Sequence, residues 1–238
     1  VRVGDTGLII AEDAADLARA GARRIARAAR EAVNSRGHCS LVLAGGGTPR
    51  SIYEKLRLLP DTEGLPWGEI DFYFGDERCV PPDDSESNYR MARETLLSHP
   101  RCTEEQVHRM EAERQDREAA AAAYAQLLPD PLDVLLLGMG SDGHTVSLFP
   151  GSPALAERRK RVVAVQGPKP PPWRLTITPP VIRSARAVLV LAAGQAKAAA
   201  LARALNGPLD ATGLPVQLAR HGIWIVDRAA ASELKERP

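Results

Sequence analysis

Aromatic side chains are scarce in this 238-residue chain, at 4%, so aliphatic residues must fill any core it builds. Hydrophobic residues still make up 44% and charged ones 26%, the balance of an ordinary soluble globular protein. Neither sign of charge prevails, with 31 Lys and Arg against 30 Asp and Glu and a formal net charge of +1. That excludes a global attraction to nucleic acid or an anionic membrane, so any affinity for an anion must be local. No apolar run is long enough to span a bilayer. The first residues, Val1-Arg2-Val3-Gly4, lack the apolar core of a secretory leader and an initiating Met, as a trimmed or tagged end would. The three cysteines, Cys39, Cys79 and Cys102, form no C-x-x-C pair. An odd, scattered set argues against a disulfide framework and for a reducing, cytoplasmic setting. No Cys/His or His/His spacing suggests zinc, and G-x-S-x-G is absent, which leaves a serine nucleophile unsupported.

What is present alternates between helical and strand-like segments. Residues 12–36 carry Ala, Arg and Leu at helical spacing, with Gly37 as the expected C-cap. Strands are expected at residues 39–44, 70–74, 107–110, 133–137, 161–165, 174–178, 187–192 and 223–226. Helices are expected at 48–59, with Thr48 as N-cap and Pro49 in its first turn, and at 88–97, 116–128 and 195–205, with a short one at the C-terminus. This order implies an α/β fold of three layers, a mostly parallel sheet with helices on both faces, of Rossmann-like type. The proline-rich residues 167–172 read as a stiff surface loop rather than a domain boundary, because the pattern resumes after them. One domain is expected over residues 1–238.

The most informative stretch is Gly138-Met139-Gly140-Ser141-Asp142-Gly143-His144-Thr145, directly after the apolar run Asp133-Val134-Leu135-Leu136-Leu137. Three glycines, an aspartate and a histidine thus stand at the C-terminal end of a strand, where open parallel sheets build their sites. Histidine is the side chain suited to proton transfer near neutrality. The stretch fits G-x-G-x-x-G, but a dinucleotide site also needs a helix at the third glycine and an acidic residue about 20 positions on. Pro150 and Pro153 stop any long helix, and Arg161-Val162-Val163-Ala164-Val165 carries no carboxylate. That reading fails.

Three more turns should emerge on the same edge. Ala44-Gly45-Gly46-Gly47-Thr48-Pro49-Arg50 outlines a phosphate cradle, with glycines for close approach and free N–H groups at a helix start. Alone it reads equally well as an ordinary glycine-rich turn, and it lacks the Gly-Lys-Ser/Thr ending of a nucleotide P-loop. Gly75-Asp76-Glu77-Arg78 alone would be a solvated charged turn. Gly194-Gln195-Ala196-Lys197 places a lysine in the first turn of a helix, against the helix dipole unless an anion sits there. Together these turns point to a phosphorylated small molecule.

The same residues closely resemble the 6-phosphogluconolactonases of the glucosamine-6-phosphate isomerase superfamily. The resemblance rests on residues 44–49, on Gly75 to Arg78 with Ser87-Asn88, and on residues 138–145 with Ser147-Leu148-Phe149-Pro150. Arg174-Leu175-Thr176-Ile177-Thr178 and Gly194 to Lys197 complete it. It implies metal-free and cofactor-free hydrolysis of 6-phospho-D-glucono-1,5-lactone in the oxidative pentose phosphate pathway. By that resemblance His144 is the general base and acid, Asp142 orients it or the water, and Arg78 or Arg174 meets the oxyanion. Asp76 joins the catalytic set. Gly46, Gly47, Thr48, Arg50, Arg174 and Lys197 hold substrate and its phosphate. The implied partner is a small phosphosugar lactone, with no nucleic acid and no membrane, and a monomer or weak dimer is expected.

Two rivals remain. A sugar-phosphate isomerase or deaminase of the same superfamily needs a carboxylate base, which Asp76 could supply. Those relatives carry Asp-Glu-Tyr where this chain has Asp76-Glu77-Arg78, and a glutamate soon after the histidine. Here the first carboxylate after His144 is Glu157, so the lactonase reading is preferred. A sugar-phosphate sensor domain would need a DNA-binding module in front. About 40 residues precede the first matching strand, beside a helix already assigned there, and no basic recognition face is evident.

Overall fold

The middle of the sheet is made by runs whose side chains are buried on both faces, as parallel strands under helices require. The computed structural model describes residues 2–3 and 6–235; Val1 and Gly4, on which the leader reading partly rests, lie outside them. The strands are β1 (Arg2–Val3), β2 (Thr6–Ala11), β3 (Cys39–Leu43), β4 (Ile70–Phe74), β5 (Asp76–Arg78), β6 (Val134–Gly138), β7 (Val162–Gln166), β8 (Trp173–Ile177), β9 (Ala187–Ala192) and β10 (Ile223–Asp227). The α-helices are α1 (Ala14–Arg36), α2 (Gly47–Leu56), α3 (Asn88–Ala92), α4 (Arg117–Leu127), α5 (Pro179–Ser184), α6 (Ala198–Asn206) and α7 (Arg228–Ala231).

The main sheet has the order β1-β2-β10-β9-β6-β3-β4. All its pairings are parallel except β1 with β2 at one edge. The order reverses between β3 and β6: β4 lies beyond β3 on one side, β9 and β10 beyond β6 on the other. Such a switch point opens a crevice at the C-terminal ends of the two strands. Here that is where Gly45-Gly46-Gly47 and residues 139–147 emerge.

Helix α1 shows why the flanking layer forms. The Asp13 side chain accepts from Asp16 N at 2.8 Å, Gly37 ends the helix at φ 76°, and one face buries Leu17, Ala22, Ile25 and Ala29. Its Gly21 lets α2 approach, since a Cβ there would lie 2.9 Å from Ile52 Cδ1. At the opposite end of the sheet from the crevice, buried Asp133 accepts from Arg36 Nε at 2.7 Å, Ser40 N at 3.0 Å and Ser40 Oγ at 3.1 Å. This ties α1, β3 and the start of β6 together. Burial and the Asp133 charge push the neighbouring Cys39 thiol up to about 12.

A second, three-stranded sheet, β5-β8-β7, is antiparallel. Gly75 joins the two sheets, its N–H donating to Leu43 O at 3.0 Å and its C=O accepting from Ile177 N at 2.9 Å. This corrects several expectations. Residues 161–165 and 174–178 do form strands but not in the parallel sheet. Asp76-Glu77-Arg78 is a strand, not a turn, because β8 supplies its partners. Residues 107–110 make only an isolated bridge between Val107 and Phe72. β2 and α5 were not anticipated. The proline-rich residues 167–172 connect β7 to β8.

Candidate active site

A cleft of about 320 Å³ opens at the C-terminal edge of the main sheet, at the switch point. The turn after β3 gives it Gly46, Gly47 and Thr48, and β5 gives it Asp76 and Arg78. The turn after β6 gives it Gly140, His144 and Val146, β8 gives it Arg174, and the turn after β9 gives it Lys197. Asp142 stands behind His144, outside the lining. Arg50 does not reach the cleft. It lies exposed on α2, where its charge acts on Glu94.

The start of α2 also differs from the expectation. Thr48 was expected as N-cap, but Gly46 takes that place at φ 102°, a backbone conformation open to glycine. The helix therefore begins at Gly47, and no side chain caps it and no acidic residue lies in its first turn. Its uncapped N–H groups and positive dipole end face the cleft. Gly45 has a separate role. Asn88 Oδ1 would lie 1.9 Å from a Cβ there, so the Asn88 amide packs directly on the glycine backbone.

Residues 138–147 form a loop closed on itself. Gly140 N donates to His144 O at 2.8 Å, Gly143 N to Gly140 O at 3.1 Å, and Thr145 Oγ1 to Gly138 O at 2.8 Å. Within it the His144 Nδ1–H faces Asp142 Oδ1 at 2.6 Å, and the same oxygen accepts from His144 N at 3.1 Å. Desolvation pushes the Asp142 carboxyl up, but the hydrogen bonds from His144 and its nearby ring outweigh it and hold the group below its ordinary value. A carboxylate on Nδ1 leaves Nε2 as the free acceptor. The ring lies 4.8 Å from that of Phe149. Val146 adopts φ 45°, a conformation disfavoured for a branched side chain. Beyond it Ser147 Oγ donates to Asp76 Oδ2 at 2.6 Å, and Asn88 Nδ2 donates to Asp76 Oδ1 at 3.2 Å.

Arg78 and Arg174 stand directly opposite each other in the β5–β8 register. Like charges so placed repel. Burial, then the Arg78 charge, push Arg174 down from its ordinary value, and Asp76 opposes them. Both arginines carry a buried Nε without a hydrogen-bond partner. Burial likewise lowers Lys197, with Lys169 adding to the effect and Asp142 opposing it. Glu77 faces away from this set. It accepts from the N–H groups of Arg78, Asn88 and Tyr89 and from Ser87 Oγ, so it holds the start of α3, while burial pushes its carboxyl up.

The arrangement can bind an anion, fix a histidine for proton transfer and stabilise negative charge formed in the cleft. Among the described residues no group of three or more His, Cys, Asp or Glu is placed to hold a metal ion, and no helix is long and apolar enough to cross a membrane. Sequence reasoning missed Ser147, Asn88, Val146 and Phe149 as parts of the site. The serine and asparagine stood within recognised segments, but a role exercised on a carboxylate 71 or 12 residues away leaves no local signal.

Fold and site together define a phosphosugar-processing α/β protein, and residues 12–226 match the family of glucosamine-6-phosphate isomerases/6-phosphogluconolactonase, to which the chain belongs. Within that family it is similar to the 6-phosphogluconolactonase of Streptomyces coelicolor, 39% identical over 245 residues that cover 95% of this chain and 94% of the relative. The solved 6-phosphogluconolactonase of Trypanosoma brucei superposes with a TM-score of 0.81 at 30% identity, covering 97% of this chain and 99% of that one. A monomeric glucosamine-6-phosphate deaminase superposes with a TM-score of 0.84 at 26% identity, covering 96% and 100%.

Proposed function

We propose that the chain hydrolyses 6-phospho-D-glucono-1,5-lactone to 6-phospho-D-gluconate, the lactone-opening step of the oxidative pentose phosphate pathway. The observation that carries this reading is the 2.6 Å pair of His144 and Asp142 on a cleft rich in cations. Asp142 holds the Nδ1–H tautomer, and Nε2 takes a proton from water as the water oxygen bonds to the lactone carbonyl carbon. The carbonyl electrons move onto oxygen, and the guanidinium groups of Arg78 and Arg174 stabilise that charge. The intermediate collapses, the bond from carbon to ring oxygen breaks, and His144 returns its proton to the ring oxygen. The uncapped start of α2 at Gly46, Gly47 and Thr48, with Lys197, holds the 6-phosphate. Each group acts from its own position, and no metal or cofactor takes part in a step.

The likeness to a deaminase and the presence of Asp76 in the cleft favour a second reading, proton shuttling between adjacent sugar carbons. Against it, among the described residues Asp76 is the one carboxylate lining the cleft, and Ser147 and Asn88 already donate to it. One assay separates the readings. The chain should hydrolyse freshly generated phosphorylated lactone, corrected for spontaneous opening, far faster than unphosphorylated gluconolactone, and should leave glucosamine 6-phosphate unchanged. Equal kcat/KM on both lactones would refute the phosphate site, and release of ammonia from glucosamine 6-phosphate would establish the rival. A single cytoplasmic domain, acting as a monomer or weak dimer, completes the proposal. One continuous apolar cluster running from Leu8 to Ala230 supports the single domain.

A further inference from the structure

The lining of the cleft is unbalanced in one respect. It offers Arg78, Arg174, Lys197 and a helix start to an anion, yet it contains a carboxylate, Asp76. That carboxylate would repel an anionic ligand unless the ligand presents O–H donors to it. Asp76 is also held with unusual care. It is 8% exposed, and its two oxygens accept from different elements: Oδ2 from Ser147 at 2.6 Å and Oδ1 from Asn88 at 3.2 Å. The donors are themselves fixed. Ser147 is fully buried, and its N–H donates to Thr176 Oγ1 at 3.2 Å. The Asn88 amide is pressed on Gly45 and also donates to Asp76 O at 2.9 Å. Each carboxylate oxygen has two acceptor directions, so one direction on each remains for the cleft.

We propose that Asp76 is a specificity-determining residue that accepts hydrogen bonds from the hydroxyl groups of a polyhydroxylated phosphate ester, and that Ser147 and Asn88 are positioning residues acting through it. This rests on the lactonase reading and deepens it. The cations select for phosphate, and Asp76 selects among sugars. A ligand lacking the hydroxyl that faces Asp76 leaves a buried carboxylate direction unpaired, and sites built on such a bond reject the deficient analogue strongly. The residue thus differs in kind from His144, which serves every substrate alike.

The test uses the full chain, the 6-phosphorylated gluconolactone and its 2-deoxy, 3-deoxy and 4-deoxy analogues, each generated in the assay. The wild type should prefer the full substrate over at least one analogue by about 10- to 100-fold in kcat/KM. Asp76→Asn and Asp76→Ala should lower kcat/KM on the full substrate more than on the rejected analogue, reducing that preference to within about threefold. Ser147→Ala should fall between, because the carboxylate remains but turns more freely. His144→Ala should slow all substrates by one factor and keep the preference. An Asp76 variant that loses the same factor on all four lactones would overturn the proposal, giving Asp76 a part in the chemistry or a role as counter-ion to the arginines. A wild type that hydrolyses all four equally would overturn it too. Should the wild type hydrolyse none of them, the lactonase reading fails first. Thermal unfolding of each variant separates a loss of selectivity from a loss of fold.

Discussion

Alanine at Gly140 should disable the His144–Asp142 pair while leaving the fold standing. A Cβ built there lies 2.1 Å from His144 Nδ1, 2.4 Å from His144 Cε1 and 2.3 Å from Asp142 Oδ1. Ordinary contacts begin near ~3.5 Å, so ring and carboxylate must each retreat by more than ~1 Å. The Phe149 ring, 4.8 Å from that of His144, narrows the directions open to the imidazole. Asp142 has an easier escape, since its side chain is 46% exposed and can turn into solvent. The 2.6 Å bond is then lost. A displacement of about 1 Å in a catalytic group costs roughly 10²-fold in rate, or about 2.7 kcal/mol of activation free energy. Full loss of a general base costs about 10²–10⁴-fold. We therefore expect kcat to fall at least ~10²-fold with KM little changed. Gly140 has no left-handed backbone angle to defend, and its N–H and C=O bonds survive the change. A glycine-to-alanine change also removes freedom from the unfolded chain, worth about 0.4–1 kcal/mol. Stability should thus change by no more than ~1.5 kcal/mol. The assay is lactone hydrolysis beside thermal unfolding, repeated in a His144→Ala background, where Gly140→Ala should add almost nothing. A folded Gly140→Ala protein within about threefold of wild-type kcat would show that the pair does not carry the reaction.

Lys197→Ala should reduce kcat/KM on the phosphorylated lactone by the equivalent of about 1.5–3 kcal/mol, mostly through KM, and spare unphosphorylated gluconolactone; an equal effect on both would remove this lysine from the phosphate site. Because burial lowers the Lys197 ammonium, its charge should be lost below the pH at which a free lysine titrates. Affinity for inorganic phosphate should therefore weaken on the alkaline side earlier than free lysine would allow, and Lys197→Arg should abolish that early weakening, as competition assays across pH can show. Asp142 lies below its ordinary value when folded, so its ionised form contributes stability above about pH 4 that disappears as pH falls through the lowered value. The Tm difference between wild type and Asp142→Asn should then shrink on acidification, and a difference that grows would reverse the assigned sign.

What could be read from the sequence was what local chemistry decides. The strand before His144 is an uninterrupted apolar run, and α1 announces its end at Gly37. His144, Asp142, Arg78 and Lys197 were singled out because glycine-rich turns and charged residues follow apolar runs, and Arg174 through the family resemblance. The structure gathers all but Asp142 on the cleft and sets Asp142 behind the histidine. Arg50 lies exposed on α2, outside the lining of the cleft. The helix starts at Gly47, two positions earlier than a Thr48 cap would give, and on it Thr48 and Pro49 line the cleft. The second sheet was hidden because only non-local pairing distinguishes β7 and β8 from strands of the main sheet. β5 was hidden because Asp76-Glu77-Arg78 is polar, and its partners come from β8, some 100 residues later. Asn88 and Ser147 matter only through Asp76, which no spacing rule connects to them.

Val146 has a consequence for anyone who would make this protein hardier. Its branched side chain sits at φ 45°, a conformation that costs on the order of 1–3 kcal/mol. A screen ranked on heat resistance alone would relieve it early, with glycine the obvious choice. Yet this residue separates His144, tied to Asp142, from Ser147, tied to Asp76. Its awkward angle lets two neighbours along the chain serve carboxylates in different directions. Relaxing it would leave a sturdier molecule with a looser grip on both. Durability and turnover pull against each other at a single bond, and directed evolution for one would be expected to erode the other there first.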